Sequence, residues 1–82
     1  MKCNVMAIKL DKRTNNALKV QEVLTKHGCI IQNRIGFHEA NENVCSDCGV
    51  IILTLLDKPS EIDLLKSDLN AIQGLHSALI SL

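Results

Sequence analysis

The chain has 82 residues, with nine Lys and Arg balancing nine Asp and Glu, so it forms one small domain of zero formal charge. A chain of this size buries only about 60–65% of the surface it exposes when unfolded, which leaves a thin margin of stability. Zero net charge removes the field that drives binding to nucleic acid or acidic membranes, and a lone aromatic, Phe37, leaves no stacking platform or aromatic cage.

The hydrophobic fraction of 46% is ordinary for a globular chain and argues against disorder. The longest unbroken apolar runs are Val50-Ile51-Ile52-Leu53 and, after Thr54, Leu55-Leu56. Both fall far short of the roughly 20 residues a membrane span needs. The N-terminus lacks the basic start and long apolar core of an export signal. Four cysteines without such a signal read as reduced thiols or metal ligands. The expected location is the cytoplasm.

Taken in chain order, Asn4 to Leu10 is an apolar run that predicts a strand, and Asp11-Lys12-Arg13 breaks it. From about Asn15 to His27, Ala17, Val20, Val23 and Leu24 recur at helical spacing, with Thr14 or Asn15 as N-cap. Gly28 stands where a C-terminal glycine belongs. Ile30 to His38 predicts a second strand with Ile31, Ile35 and Phe37 on one face, and Glu39 to Asp47 is polar and turn-like. Gly49 to Leu56 is the clearest strand. Ser60, with Asp63 three residues on, is a weak capping box opening a second helix. That helix carries an apolar stripe of Ile62, Leu65, Leu69 and Ile72 and stops at Gly74. Leu75 to Leu82 is the last strand.

The order β-α-β-β-α-β hides a repeat. The two helix stops, Gly28 and Gly74, are 46 residues apart, and the same shift carries the first strand onto the third. Two βαβ units side by side make an α+β ferredoxin-like sandwich spanning 1–82: a four-stranded antiparallel sheet with two helices on one face. The crossover rule is read as placing strands one and three side by side and parallel in the middle.

Those central strands are apolar on both faces. Val50 and Ile52 share one face of strand three and Ile51, Leu53 and Leu55 the other; in strand one Val5 and Ala7 oppose Met6, Ile8 and Leu10. Two helices cover one face only, and a solvated second face should alternate with polar residues. A second copy of the chain is the expected cover, as a homodimer or homotetramer.

The run Asn33-Arg34-Ile35-Gly36-Phe37, then Asn41 to Asn43, then Gly49 to Leu55, together with Leu69-Asn70-Ala71-Ile72-Gln73-Gly74-Leu75, resembles a family of short ACT-like regulators associated with iron-only hydrogenase systems. The resemblance covers nearly the whole chain. It implies an ACT-type sheet, homo-oligomers and a regulatory or ligand-sensing role, related in shape to the C-terminal domain of nickel-responsive repressors. Arg34 and Asn43 are the candidate ligand-binding residues. Amino-acid-binding ACT domains usually hold a glycine in the first strand-to-helix loop; here that loop is Asp11-Lys12-Arg13-Thr14, which speaks against the usual amino-acid route.

Cys45-x-x-Cys48 can chelate one metal ion if a tight turn brings its thiolates together. With strands one and three parallel, Cys3 aligns with Gly49, and His38 ends strand two at the same corner. Cys3, His38, Cys45 and Cys48 then form a donor set for a divalent transition metal. A redox-labile Cys45–Cys48 pair and inert thiols are the other readings. Heavy-metal chaperone domains place their CxxC after strand one, where this chain has no cysteine. His27, Cys29 and His76 are expected at the opposite end in structural roles, with His27 complementing a helix C-terminus. Arg34 either pairs with Glu39 or a neighbouring subunit, or grips an anionic effector.

No G-x-S-x-G elbow accompanies Ser60, Ser67, Ser77 or Ser81, and the glycines at 28, 36, 49 and 74 are isolated, so no phosphate loop exists. Asp57, Glu61, Asp63 and Asp68 read as a solvated helix face. The sequence thus points to a non-enzymatic regulatory module that senses a small effector through homo-oligomeric assembly. No direct nucleic-acid or membrane partner is expected. The rival reading is a metal- or redox-handling protein built on the cysteine corner.

Overall fold

A computed structural model describes residues 2–11, 17–40 and 45–82, with the side chains of 37–40 and 45–48 left out. The period-two apolar pattern of Asn4–Leu10 forms strand β1, in which Met6, Ile8 and Leu10 are buried and Val5 and Ala7 are half-buried. Helix α1 runs Ala17–Lys26 and buries Val20 and Leu24. The residues expected to cap it, Thr14 and Asn15, lie outside the described residues. Strand β2 follows at Ile31–Ala40, β3 at Cys45–Leu55, helix α2 at Pro59–Asn70 and β4 at Leu75–Ser81.

The sheet order is β2-β3-β1-β4, antiparallel throughout. This is the βαββαβ sandwich expected from the sequence, with one correction. Strands β1 and β3 are neighbours, but they run antiparallel, Asn4 facing Leu55 and Leu10 facing Gly49. The crossover rule sets the direction within each βαβ unit, β1 with β2 and β3 with β4. The hairpin between β2 and β3 then reverses the second unit.

One core lies between the helices and one sheet face. Met6, Ile8, Leu53, Leu65 and Leu69 are all but fully buried in it, joined by Ile62 and Ile72 of the predicted stripe. The helix ends differ from expectation. Helix α2 opens on Pro59 at its first turn, and the N-cap is Lys58 with no side-chain hydrogen bond, so Ser60 lies inside the helix. Proline suits that position because its missing N–H has no helical partner there. Gly28 opens a short 3-10 turn, Gly28–Ile30, rather than adopting a left-handed cap. Gly74 does have positive φ, 81°.

In β2 the shared face assigned to Ile31, Ile35 and Phe37 is broken. Ile31 faces Leu55 and Asn33 faces Thr54, so Gln32 is one residue too many. Such a bulge reverses the in/out parity of the residues after it. Ile31 packs against the core, whereas Ile35 pairs with Ile52 and is 55% exposed. At the far end β2 and β3 reach beyond their expected limits, to Ala40 and Cys45, so the CxxC segment lies in a strand.

The two ends of the sheet are tied differently. At one, buried Asn4 donates to Asp57 at 3.3 Å and accepts from the Ser81 hydroxyl at 2.8 Å, joining β1, β4 and the approach to α2. At the other, the Asp11 backbone N–H donates to the Gly74 carbonyl.

Candidate functional site

Two surfaces carry the residues of interest. The first is the sheet face away from the helices. Alternation in the ladders puts Val5 and Ala7, Val50 and Ile52, Ile35, and Ala78 and Ile80 on it, one or two from every strand. Ile80 is 53% exposed and Ile35 55%, while the central four are half-buried by their neighbours. The β1–β4 ladder sets Lys9 opposite His76 at one end of this face, and His76 Nε2 lies 3.2 Å from Asp11. The apolar excess of the central strands is therefore real, and no other described residue covers it.

The second surface is a cleft of about 160 Å³ between α1 and the helix-side face of the sheet. Ile8, Leu10, Val20 and Ile51 supply apolar walls, and the small residues Ala17 and Gly49 leave the space open. Gln21 is its polar wall residue, and the Arg34 guanidinium donates a hydrogen bond to the Gln21 side-chain oxygen. Arg34 faces α1 because the Gln32 bulge has shifted the parity of β2; its ladder partner is Leu53, a core residue. Among the described residues it makes no ion pair. Asn43, the other candidate ligand residue, lies outside the described residues.

The proposed metal corner does not assemble as expected. Cys3 precedes the residue paired with Leu55, and its backbone exchanges two hydrogen bonds with Leu82. Cys48 precedes Gly49, which pairs with Leu10. The full length of β1, about 20–25 Å at strand rise, separates Cys3 from Cys48. The error follows from the parallel alignment of β1 and β3. His38 does come to Cys48's end, facing Gly49, and Cys45 faces Ala40. Among the described residues no group of three metal-binding side chains is found.

His27 and His76 do not share an end either. The Ile30 carbonyl, three residues after His27, accepts from Leu56 at the Asn4 end of the sheet, while His76 pairs with Asp11 beyond the Leu10 end. Nothing in their local sequence indicated the acidic partner of either. The Asp68 carboxylate lies 2.7 Å from His27 Nε2 and 3.1 Å from Lys26 Nζ. The His27 hydrogen bond, then Lys26, holds the Asp68 carboxyl below its ordinary range. Gln21 was likewise missed, since a glutamine on an exposed helix turn carries no signal until β2 brings an arginine beside it.

No protein-family model and no curated protein matches the sequence. Solved structures do match. An uncharacterised Thermotoga maritima protein, TM1266, is similar at 23% identity over 100% of this chain and 99% of that one, with a TM-score of 0.82. The ACT domain of the Chlorobium tepidum GTP pyrophosphokinase is similar at 12% identity over 98% and 96% of the two chains, TM-score 0.63. CPII, a nitrogen regulatory PII-like protein of Thiomonas intermedia K12 solved with ADP, AMP and bicarbonate, is similar at 11% identity over 100% and 93%, TM-score 0.60. At such identities the likeness is one of backbone. The chain has the ferredoxin-like fold that ACT domains and PII-like proteins share.

Proposed function

We propose that the protein is a non-enzymatic regulatory module that senses a small molecule and works as a homo-oligomer. The observation that carries this reading is the uncovered apolar sheet face, with Val5, Ala7, Val50 and Ile52 at its centre and Ile35 and Ile80 at its flanks. An apolar patch spread over all four strands marks an interaction surface, and a second copy offers the same patch, as an isologous contact requires. The fold shared with an ACT domain and with a PII-like protein that carries nucleotides supports a sensing role. The effector stabilises one packing of the subunits, and that packing is read by another protein. The association with iron-only hydrogenase systems rests on the sequence resemblance alone.

Light scattering on the purified protein, with and without nucleotides and small metabolites, tests the reading. A mass above one chain that responds to at least one compound is expected. A monomer at every concentration and condition sinks it.

The rival metal reading now draws on His38, Cys45 and Cys48 without Cys3. The β2–β3 register that sets His38 opposite Gly49 is what favours it.

A further inference from the structure

The cleft beside α1 differs from the sheet face in having a polar end to its apolar walls. Its volume, about 160 Å³, is close to that of an apolar cavity of about 150 Å³ that takes benzene. A hydrocarbon group of about five or six carbons therefore fills it. The walls that would meet that group are Ile8, Leu10, Val20 and Ile51. At the Gln21 wall stands Arg34, one of whose N–H donors goes to the Gln21 oxygen. A guanidinium has five donors in a planar fork, and among the described residues Gln21 is the side chain that Arg34 meets, so the other donors can face an anion. A carboxylate matches that fork with two parallel hydrogen bonds. No acidic side chain lines the cleft among the described residues, and the Asp11 carboxylate, just past Leu10, is engaged by His76. An ammonium group on the ligand would meet no acidic side chain of the described lining.

We propose that this cleft binds a small aliphatic carboxylate, with its tail among Ile8, Leu10, Val20 and Ile51 and its carboxylate on Arg34. The proposal rests on the ligand-sensing reading and names the chemical class sensed. The ligand is an unsubstituted acid, distinct from an amino acid. Gln21 orients the guanidinium. The Gln32 bulge is what turns Arg34 toward α1, so the site depends on the same irregularity that exposes Ile35 on the other face.

The test is a titration of methyl-labelled full-length protein, followed by heteronuclear NMR, with hexanoate, hexanol and norleucine in parallel. Hexanoate is expected to shift the methyl signals of Ile8, Leu10, Val20 and Ile51 saturably. Hexanol and norleucine should bind about tenfold more weakly or worse, because hexanol has no carboxylate for the Arg34 fork and norleucine adds an ammonium that no acidic side chain of the described lining meets. Arg34→Gln should weaken hexanoate by a similar factor, and Arg34→Lys by less. Ala17→Leu should fill the cleft and abolish the shifts; if that variant fails to fold, the Arg34 pair and the three probes still decide. No saturable shift with hexanoate overturns the proposal. So does hexanol binding as well as hexanoate, an Arg34→Gln variant that binds unchanged, or norleucine binding more tightly than the plain acid. Light scattering on the same samples separates the two ideas. Loss of the site with the oligomer intact sinks the cleft alone, whereas binding to a strict monomer sinks the assembly reading and keeps the cleft.

Discussion

His27 Nε2 sits 2.7 Å from the Asp68 carboxylate, so the end of α1 is fastened to the side of α2 by a side chain only 11% exposed. Lys26 adds a second, more exposed contact to the same carboxylate at 3.1 Å. The hydrogen bond from His27, then that from Lys26, lowers the Asp68 pKa in the folded chain. Folding thus favours the charged form. The resulting stability is complete above the ordinary carboxylate range, about pH 4, and is lost as acid carries the pH through the lowered value. Urea midpoints of the wild type and Asp68→Asn should differ near neutrality and converge below about pH 4. A gap that widens on acidification would contradict this.

Oligomerisation is tested on the open face. Ile52 points away from the helices, so Ile52→Asp should leave the fold intact by circular dichroism while lowering the mass toward that of one chain, 9.0 kDa. Ile80→Asp, at the flank of the same face, should weaken assembly less. Wild-type mass retained in both variants would remove this face from the interface.

The opposite face answers to a different rule. Leu65 and Leu53 are fully buried between the layers. Truncating either to Ala should cost about 2–5 kcal/mol, a large share of the total for so small a domain. Denaturant unfolding reads this directly, and a cost below about 1 kcal/mol at both sites would contradict the packing described.

The two helix-stop glycines should respond in opposite senses. Gly74 has a φ of 81° that an L side chain adopts only with strain, so Gly74→Ala should destabilise by about 1–2 kcal/mol. A Cβ at Gly28 meets nothing within 4 Å, and its φ is not positive. Gly28→Ala should be neutral or stabilise by up to about 1 kcal/mol. Equal losses at both would contradict the backbone assignment.

Metal content is the last test. With Cys3 at the far end of β1, the donor set falls to His38, Cys45 and Cys48, one short of a closed structural zinc site. Protein purified anaerobically with zinc should hold well under about 0.2 equivalents per chain. Cys3→Ser should not change that figure. Stoichiometric zinc lost on Cys3→Ser would restore the original corner.

What the chain alone determined is what depends on near neighbours. The alternation of Met6, Ile8 and Leu10 with Val5 and Ala7 follows from the pleat of an extended backbone, and the spacing of Ile62, Leu65 and Leu69 from the turn of a helix. Both faces could therefore be assigned before any strand was paired, and the apolar second face with them. Pairing and direction were another matter. A 46-residue repeat carries no sign, and only closure of the sheet made β1 and β3 antiparallel, moving Cys3 a strand's length from Cys48. The Gln32 bulge was equally silent, because Ile31 and Ile35 keep perfect alternation on paper. It took the facing strand, with one residue fewer over the same stretch, to turn Ile31 to the core and Ile35 outward, and to set Arg34 against Gln21. Periodicity is written in covalent geometry; register is written in the ladder between strands far apart in sequence.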